Sequence, residues 1–166
     1  MKLLKKIEDG KVPVNKKWLK VREAARAILF DEDNRVPLMF LSKKNYHKLP
    51  GGGVDEGESI KEALVRECLE EVGGEIDVQG EIGKISEYRS KWLLKQTSYC
   101  YHGKLVSKGE SNFTEKEIES GSKIIWVEFE DAITRIENDR PEDYQGKFIR
   151  ERELAFLHEF KRMKQL

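Results

Sequence analysis

Cysteine is scarce: Cys68 and Cys100 are the only two in 166 residues. Two thiols cannot build a disulfide framework, and their separation lacks metal-ligand spacing, so both are expected as reduced, buried, small hydrophobes. A surplus of either charge is missing as well, with 31 Lys plus Arg against 31 Asp plus Glu. That balance gives no support for a general nucleic-acid or membrane-surface binder, whose mark is a basic excess or a basic face, although it leaves room for a local basic patch. No apolar run approaches a membrane span, and the opening "MKLLKKIEDG" carries positive charge without the apolar core of a secretion signal. A cytoplasmic location with neither a membrane nor a nucleic-acid partner is the expectation. Internal repeats and Pro/Ser-rich linkers are lacking too, so residues 1–166 read as a single domain, long enough to bury a real core.

What is present is concentrated in one stretch. "LPGGGVDEGE", residues 49–58, holds four glycines and three carboxylates directly after a proline. Glycine loses the most backbone freedom on folding, so such a loop is unfavourable unless the chain needs unusual dihedral angles or a close approach to a ligand. Ordinary turn chemistry is the plainer alternative. "SIKEALVRECLEEV" (59–72) follows and reads as a helix, with Ser59 and Glu62 at capping-box spacing and Gly73 and Gly74 placed to stop it. Leu64, Cys68 and Val72 stack on one face, and Val65 and Leu69 are expected to widen that buried stripe. Glu67, Glu70 and Glu71 stand at i, i+3 and i+4, so their side chains are expected to converge. Two unit charges ~6 Å apart repel by roughly 3 kcal/mol at an effective dielectric constant near 20, and by under ~1 kcal/mol in water. The cluster is therefore either a solvated acidic face or a site for a hard cation such as Mg²⁺, which prefers carboxylate oxygens.

Elsewhere the pattern alternates strands with helices. "EAARAILF" (23–30) and "VPLMFLSK" (36–43) flank "DEDNR" and read as a hairpin, with Pro37 marking the start of the second run or an edge. Residues 75–106 are strand-like, as is "KIIWVEF" (123–129), whose Trp126 is expected in the core. "EDAITRIE" suits a short helix, and the segment from Gly146 to the C-terminus carries an apolar stripe at Ile149, Phe156, Phe160 and Met163 with helical spacing. That stripe either completes the core or forms a homodimer interface. The class is α/β (α+β), a sandwich of helices on a sheet.

From Gly52 the chain runs Gly, five residues, Glu58, seven residues, then Arg66, Glu67, Cys68, Leu69, Glu70, Glu71, Val72 and Gly73. This is similar to the signature of the Nudix hydrolases (the MutT-like family), Gx5Ex7REUxEExGU with U a bulky apolar residue. Seven fixed positions match; at roughly 7% usage each, chance gives of order 10⁻⁸ per window. The last U falls on Gly74, with an apolar side chain arriving only at Ile76, and Cys68 is a small occupant of the first. The resemblance covers residues 52–74 and implies a Nudix-type α/β/α sandwich with a mixed β-sheet and a catalytic loop–helix. It also implies Mg²⁺ (or Mn²⁺) held by Glu67, Glu70 and Glu71, with a carbonyl from Gly51, while Glu58 and Arg66 brace the loop. The implied reaction is metal-dependent hydrolysis of a nucleoside diphosphate linked to another moiety, a small-molecule substrate.

Such chemistry needs carboxylates more than a nucleophilic side chain. A further glutamate to orient or deprotonate water is sought in "KGESNFTEKEIESGSKIIW" (108–126), where Glu117 is the first choice and Glu115 the second, on a short turn anchored by burial of Ile118. Arg89 and Lys91, with Lys95, are candidates for substrate phosphates, and Tyr88 or Trp92 for stacking on a base; the plainer reading is an amphipathic strand with a solvated basic side. Arg26 faces either the site or the polar side of its strand, and His47 is expected at the surface. Two rival functions are a nucleotide-binding sensor that does not cleave, for which loss of box carboxylates would be expected, and an isoprenoid-diphosphate isomerase, which needs further catalytic groups. All charged box positions are present, which favours the hydrolase.

Overall fold

The computed structural model describes residues 1–165. Its longest hairpin follows the β-branched and aromatic run of the sequence: β5 (Ile76–Arg89) and β6 (Leu94–Leu105) pair antiparallel. One 3₁₀ turn at Ser90–Trp92 joins them, and Leu93 closes it at φ 47°. β1 (Leu3–Glu8), a strand the sequence reading did not anticipate, runs parallel to β5, and β2 (Lys20–Phe30) runs parallel to β6. The four form a mixed sheet of order β1-β5-β6-β2. A second, antiparallel sheet has the order β4-β3-β7, from β3 (Val36–Leu41), β4 (Tyr46–Lys48) and β7 (Ser122–Val127).

Helix α1 (Ile60–Val72) covers one face of the four-stranded sheet. Ala25, Ala27 and Leu29 of β2 meet its Ala63, Leu64, Cys68 and Val72, the alanines being small enough to let the helix lie close. On the opposite side α3 (Phe129–Asn138) and α4 (Tyr144–Lys164) pack Phe148, Phe156, Leu157 and Phe160 with Ile28 and Ile85 and with Val36 and Leu38 of the second sheet. A five-residue helix, α2 (Glu115–Glu119), precedes β7. The result is the expected α/β/α sandwich. Among the described residues no helix is long and apolar enough to cross a membrane.

Three expectations are corrected. The turn after β2 forms: Asp31 accepts from the Arg35 backbone N–H at 2.8 Å and from Arg35 Nη2 at 2.9 Å. The strands it joins do not pair, however, and lie in different sheets. Both edges of β2 are already taken, one by β6 and the other by the backbone of residues 50–54, so β3 finds its partners elsewhere. Val65 and Leu69 do not widen the buried stripe of α1; they are 45% and 51% exposed. The stripe turns the other way, to Ala63 and Glu71, because the acid on that side is held by partners described below. On α4, Ile149, Phe156 and Phe160 are buried in the chain's own core, whereas Met163, read as the last member of that stripe, is exposed.

The corrected face has a direct consequence. Leu64→Ala is expected to cost ~2–5 kcal/mol, as a buried leucine does, whereas Leu69→Ala should change stability by about 0.5 kcal/mol or less. Urea unfolding of both variants measures this, and equal losses would refute the orientation of α1.

Candidate active site

The glycine loop lies along the free edge of β2, joined to it by one antiparallel bridge, Ala24 to Gly53. Ala25 N–H donates to the Gly52 carbonyl at 2.9 Å, Ala27 N–H to that of Pro50 at 3.1 Å, and Val54 N–H to that of Glu23 at 3.0 Å. Gly51 sits at φ 125°, and a Cβ there would overlap the Ala25 carbonyl; a Cβ on Gly52 would overlap the Glu67 carboxylate. These two glycines thus admit a neighbouring strand and the Glu67 carboxylate. The helix that follows starts and stops as expected: the Ser59/Glu62 capping box forms, and Gly73 caps the C-terminus in the left-handed region at φ 74°. Gly74, the departure from the family pattern, has a close backbone neighbour at Ser107, where a side chain would clash, and Ile76 supplies the apolar contact at the start of β5.

Arg66 holds loop and helix together. Its Nε and Nη2 each donate to Glu58 at 2.9 Å, Nη2 also reaches the Gly53 carbonyl at 3.0 Å, and Nη1 donates to Glu67 at 2.8 Å. Glu71 makes a second clamp from the buried side. Its Oε2 accepts the Gly51 N–H at 2.6 Å, and its Oε1 accepts from Lys48 Nζ at 2.9 Å. Burial pushes the Glu71 pKa up to about 7, against the opposing pull of Lys48 and the Gly51 N–H. Burial, and then the charge of Glu67, also raises that of Glu70.

Glu117 enters from α2. One of its oxygens accepts from the backbone N–H and the hydroxyl of Thr114, both at 2.8 Å, and the other lies 4.0 Å from Lys48 Nζ. It is in hydrogen-bond contact with Glu71 and is lowered below the usual glutamate range: its own burial is outweighed by that contact, by the Thr114 bonds and by Lys48. Of these two neighbouring carboxyls, Glu71 is the one that burial favours in its protonated form. Ile118 does not anchor this turn as expected, being 64% exposed. The capping box of Thr114 and Glu117 holds the turn instead, while Phe113 beside it packs on the core.

The box glutamates do not converge on one point. Among the described residues no three His, Cys, Asp or Glu side chains are arranged as a ready metal cage. Like charges separate, and each acid turns to a local partner: Glu67 to Arg66, Glu71 to Gly51 and Lys48, Glu117 to Thr114. The donor set nevertheless fits a hard divalent cation, being all oxygen and including two carboxyls, Glu71 and Glu117, that both lie within 4.0 Å of Lys48 Nζ.

Arg26 is buried, its Nε 3.7 Å from Glu153, and Arg89 is buried with Nη2 2.6 Å from Glu87. Lys91 is exposed and lies 4.8 Å from the Tyr144 ring, while Lys95 is exposed on β6. Tyr88 is buried and Trp92 half exposed. Trp126 is half-buried, with Lys108 Nζ 4.0 Å from its ring. His47 is buried, contrary to expectation: Nδ1 is 2.9 Å from Asp139 Oδ1, its backbone N–H donates to Asp139 Oδ2 at 2.7 Å, and its ring stacks on Phe40. Sequence reasoning also missed Lys48 and Arg22, whose guanidinium packs over Gly53. The sequence signal was available in both cases, a cation directly before the loop and another at the start of the strand that carries it. Both cysteines are free and buried, and burial raises their thiol pKa values.

The family model described as "NUDIX domain" matches residues 20–150. An RNA pyrophosphohydrolase of Campylobacter jejuni subsp. doylei is 40% identical over 74 residues, 42% of this chain and 41% of its own length. The chain thus spans about two fifths of such curated relatives. Among solved structures, a NUDIX hydrolase from Nitrosomonas europaea superposes with a TM-score of 0.66 at 17% identity, over 87% of this chain and 91% of that one. A MutT protein from Methanosarcina mazei Go1 superposes with a TM-score of 0.62 at 20% identity, over 89% of this chain and 98% of the other.

Glu71 makes the metal-free protein sensitive to pH. Because its folded pKa of about 7 exceeds the ordinary value near 4.5, the folded state holds more protons in that interval, and stability falls as pH rises through it. At ~1.4 kcal/mol per pKa unit the loss is up to ~3 kcal/mol. In EDTA, the melting temperature should decline from pH 5 to pH 7.5 in the wild type and much less in Glu71→Gln; equal slopes would place the proton elsewhere.

Proposed function

The chain belongs to the NUDIX family, and we propose that it hydrolyses a phosphoanhydride bond in a nucleoside diphosphate linked to a further group, as a divalent-cation-dependent pyrophosphohydrolase. The observation that supports this reading is the approach of Glu71 and Glu117 to one ammonium group, Lys48 Nζ, beneath a glycine loop whose backbone lies against Glu67 and Glu71. Acids from two separate segments reach one place where backbone, not side chain, would face a ligand. Buried thiols with raised pKa values are poor nucleophiles, so covalent catalysis by cysteine has no support here.

Glu67, Glu70 and Glu71, with the Gly51 carbonyl, would hold Mg²⁺ or Mn²⁺ after turning from their present partners. When bound, the cation would neutralise phosphoryl charge and polarise the P–O bonds under attack. The chain's own residues do the positioning. Arg66 keeps Glu67 beside Gly52, Glu71 clamps the loop through Gly51, and Lys48 adds a positive charge between Glu71 and Glu117. Glu117, lowered in pKa and held at one oxygen by Thr114, is ionised at neutral pH and would orient the attacking water, the lowered pKa limiting its strength as a base. Free thiols fit a reducing compartment such as the cytoplasm. The RNA pyrophosphohydrolase relative suggests that 5′-phosphorylated ends belong in the substrate panel beside small nucleotide derivatives.

Incubation of the purified protein with Mg²⁺ or Mn²⁺ and such a panel, with product masses read after reaction in ¹⁸O-labelled water, tests the function. Cleavage of a diphosphate with one labelled product is expected, and no phosphate-containing product from any compound would overturn it. Glu70→Gln and Glu71→Gln should nearly abolish turnover with the fold intact by circular dichroism. Glu117→Gln should lower kcat by roughly 10² or more with little change in KM; near-wild-type kcat from pH 6 to 9 would remove it from that role.

A further inference from the structure

The β5–β6 hairpin continues beyond the ends of its strands. Ile76 and Leu105 pair at its open end, and past them the two chains keep an antiparallel course, one leading back into α1 and the other on to α2. Val106 N–H donates to the Glu75 carbonyl at 2.8 Å, Glu75 N–H to the Ser107 hydroxyl at 3.1 Å, and Asn112 N–H to the Glu70 carbonyl at 2.7 Å. As one partner steps forward from 106 to 112, the other steps back from 75 to 70. A helix leaves the carbonyls of its last turn without partners inside the helix, and the Asn112 N–H fills one of them, on a residue whose carboxylate is a candidate metal ligand.

Three glycines permit this approach. Gly73 caps α1 at φ 74°, whereas neither Gly74 nor Gly109 lies in the left-handed region, so backbone conformation does not call for glycine at those two positions. What the contact requires is the missing Cβ. One on Gly74 would overlap the Ser107 carbonyl, one on Gly109 the Gly73 carbonyl, and one on Gly73 the backbone of Glu110. Backbone meets backbone here, and the place where the family signature carries its last bulky apolar residue is taken by a second stretch of chain.

That stretch leads directly to Glu117, with four residues between it and Asn112. Phe113 packs beside Met39, Leu41, Tyr46 and Ile149, and Thr114 closes its capping box with Glu117. The other Glu117 oxygen lies 4.0 Å from Lys48 Nζ, itself 2.9 Å from Glu71. The run from Asn112 to Glu117 thus meets α1 at neighbouring residues, Glu70 through its backbone and Glu71 through Lys48. The capping box fixes Glu117 on its own turn. Where that turn stands is fixed on its far side by the N–H groups of Ser42 and Lys43, each 3.2 Å from the carbonyls of Gly121 and Ser120, and on its near side by the glycine contact.

We propose that Gly74 and Gly109 are positioning residues, whose contact without side chains sets where Glu117 stands relative to Glu70 and Glu71. The role rests on the hydrolase reading, in which Glu117 orients the attacking water, and it gives the departure at Gly74 a purpose.

Replacing a glycine whose backbone conformation suits other residues is ordinarily neutral or stabilising, because it restricts the unfolded chain. Gly74→Leu, which restores the apolar residue of the signature, and Gly109→Ala, the smaller change, should instead each lower kcat by roughly tenfold or more, with KM within about twofold. In EDTA the Asn112 amide should exchange its hydrogen roughly tenfold faster or more in both variants, while the Leu64 and Cys68 amides within α1 exchange as in the wild type. Should Gly74→Leu fail to fold, Gly109→Ala carries both comparisons. Added to Glu117→Gln, either change should slow turnover no further, since the placement of an absent carboxylate no longer matters. A double variant slower than Glu117→Gln by the factor of the glycine change alone overturns the proposal, as does wild-type kcat in both glycine variants or faster exchange throughout α1. Wild-type kcat in Glu117→Gln counts against that residue's role in turnover, and no turnover by the wild type counts against the hydrolase reading. In either case the Asn112 amide judges the glycine contact alone: faster exchange in the variants supports it, and unchanged exchange overturns it.

Discussion

Three backbone hydrogen bonds between β2 and residues 50–54 decide the arrangement of the site. They hold a loop of high conformational freedom against the edge of β2, and they fix the height at which Gly51 and Gly52 meet α1. The contacts of the candidate site are then set by distance along a regular element: Glu67 against Gly52, Glu71 against the Gly51 N–H, Arg66 back to Glu58 and the Gly53 carbonyl. Each bond is worth only ~1 kcal/mol net. Their weight comes from coupling, because losing them would also uncover the buried carboxyl of Glu71.

That carboxyl explains why the loop and the acid from α2 belong to one unit. A buried ionised group is tolerated only with partners, and Glu71 has a backbone N–H, an ammonium and a second carboxyl around it. Lys48, from β4 of the smaller sheet, therefore links that sheet to α1 of the larger one through the site itself. Changes in the charge at this point are felt by both sheets.

The site was more legible in the sequence than the fold around it. The relative positions of Glu67, Glu70, Glu71 and Arg66 on α1 are readable because they depend on spacing within one helix, and helical geometry is local. Pairing between strands is not local. β2 and β3 satisfy every hairpin signal near residues 31–35, and the turn duly forms, but the edge that β3 would have used belongs to a loop twenty residues later. The exposed Val65 and Leu69 have the same origin, since hydrophobicity alone does not reveal that Glu71 is sheltered and can occupy the buried side. Lys48, Arg22 and the His47–Asp139 pair escaped for a related reason: a lone cation or imidazole says nothing until its distant partner is known.

The same loop has a protective consequence that is independent of catalysis. Ala24 to Phe30 is a nearly unbroken apolar strand, and one of its edges would offer free N–H and C=O groups to any extended chain. The glycine loop, which can lie flat against that edge and ends in a run of acids, caps it with backbone and surrounds it with negative charge. Sequence changes that loosen the loop thus expose a sticky β-edge as well as disarm the site, so self-association belongs with lost turnover among the defects to expect from them.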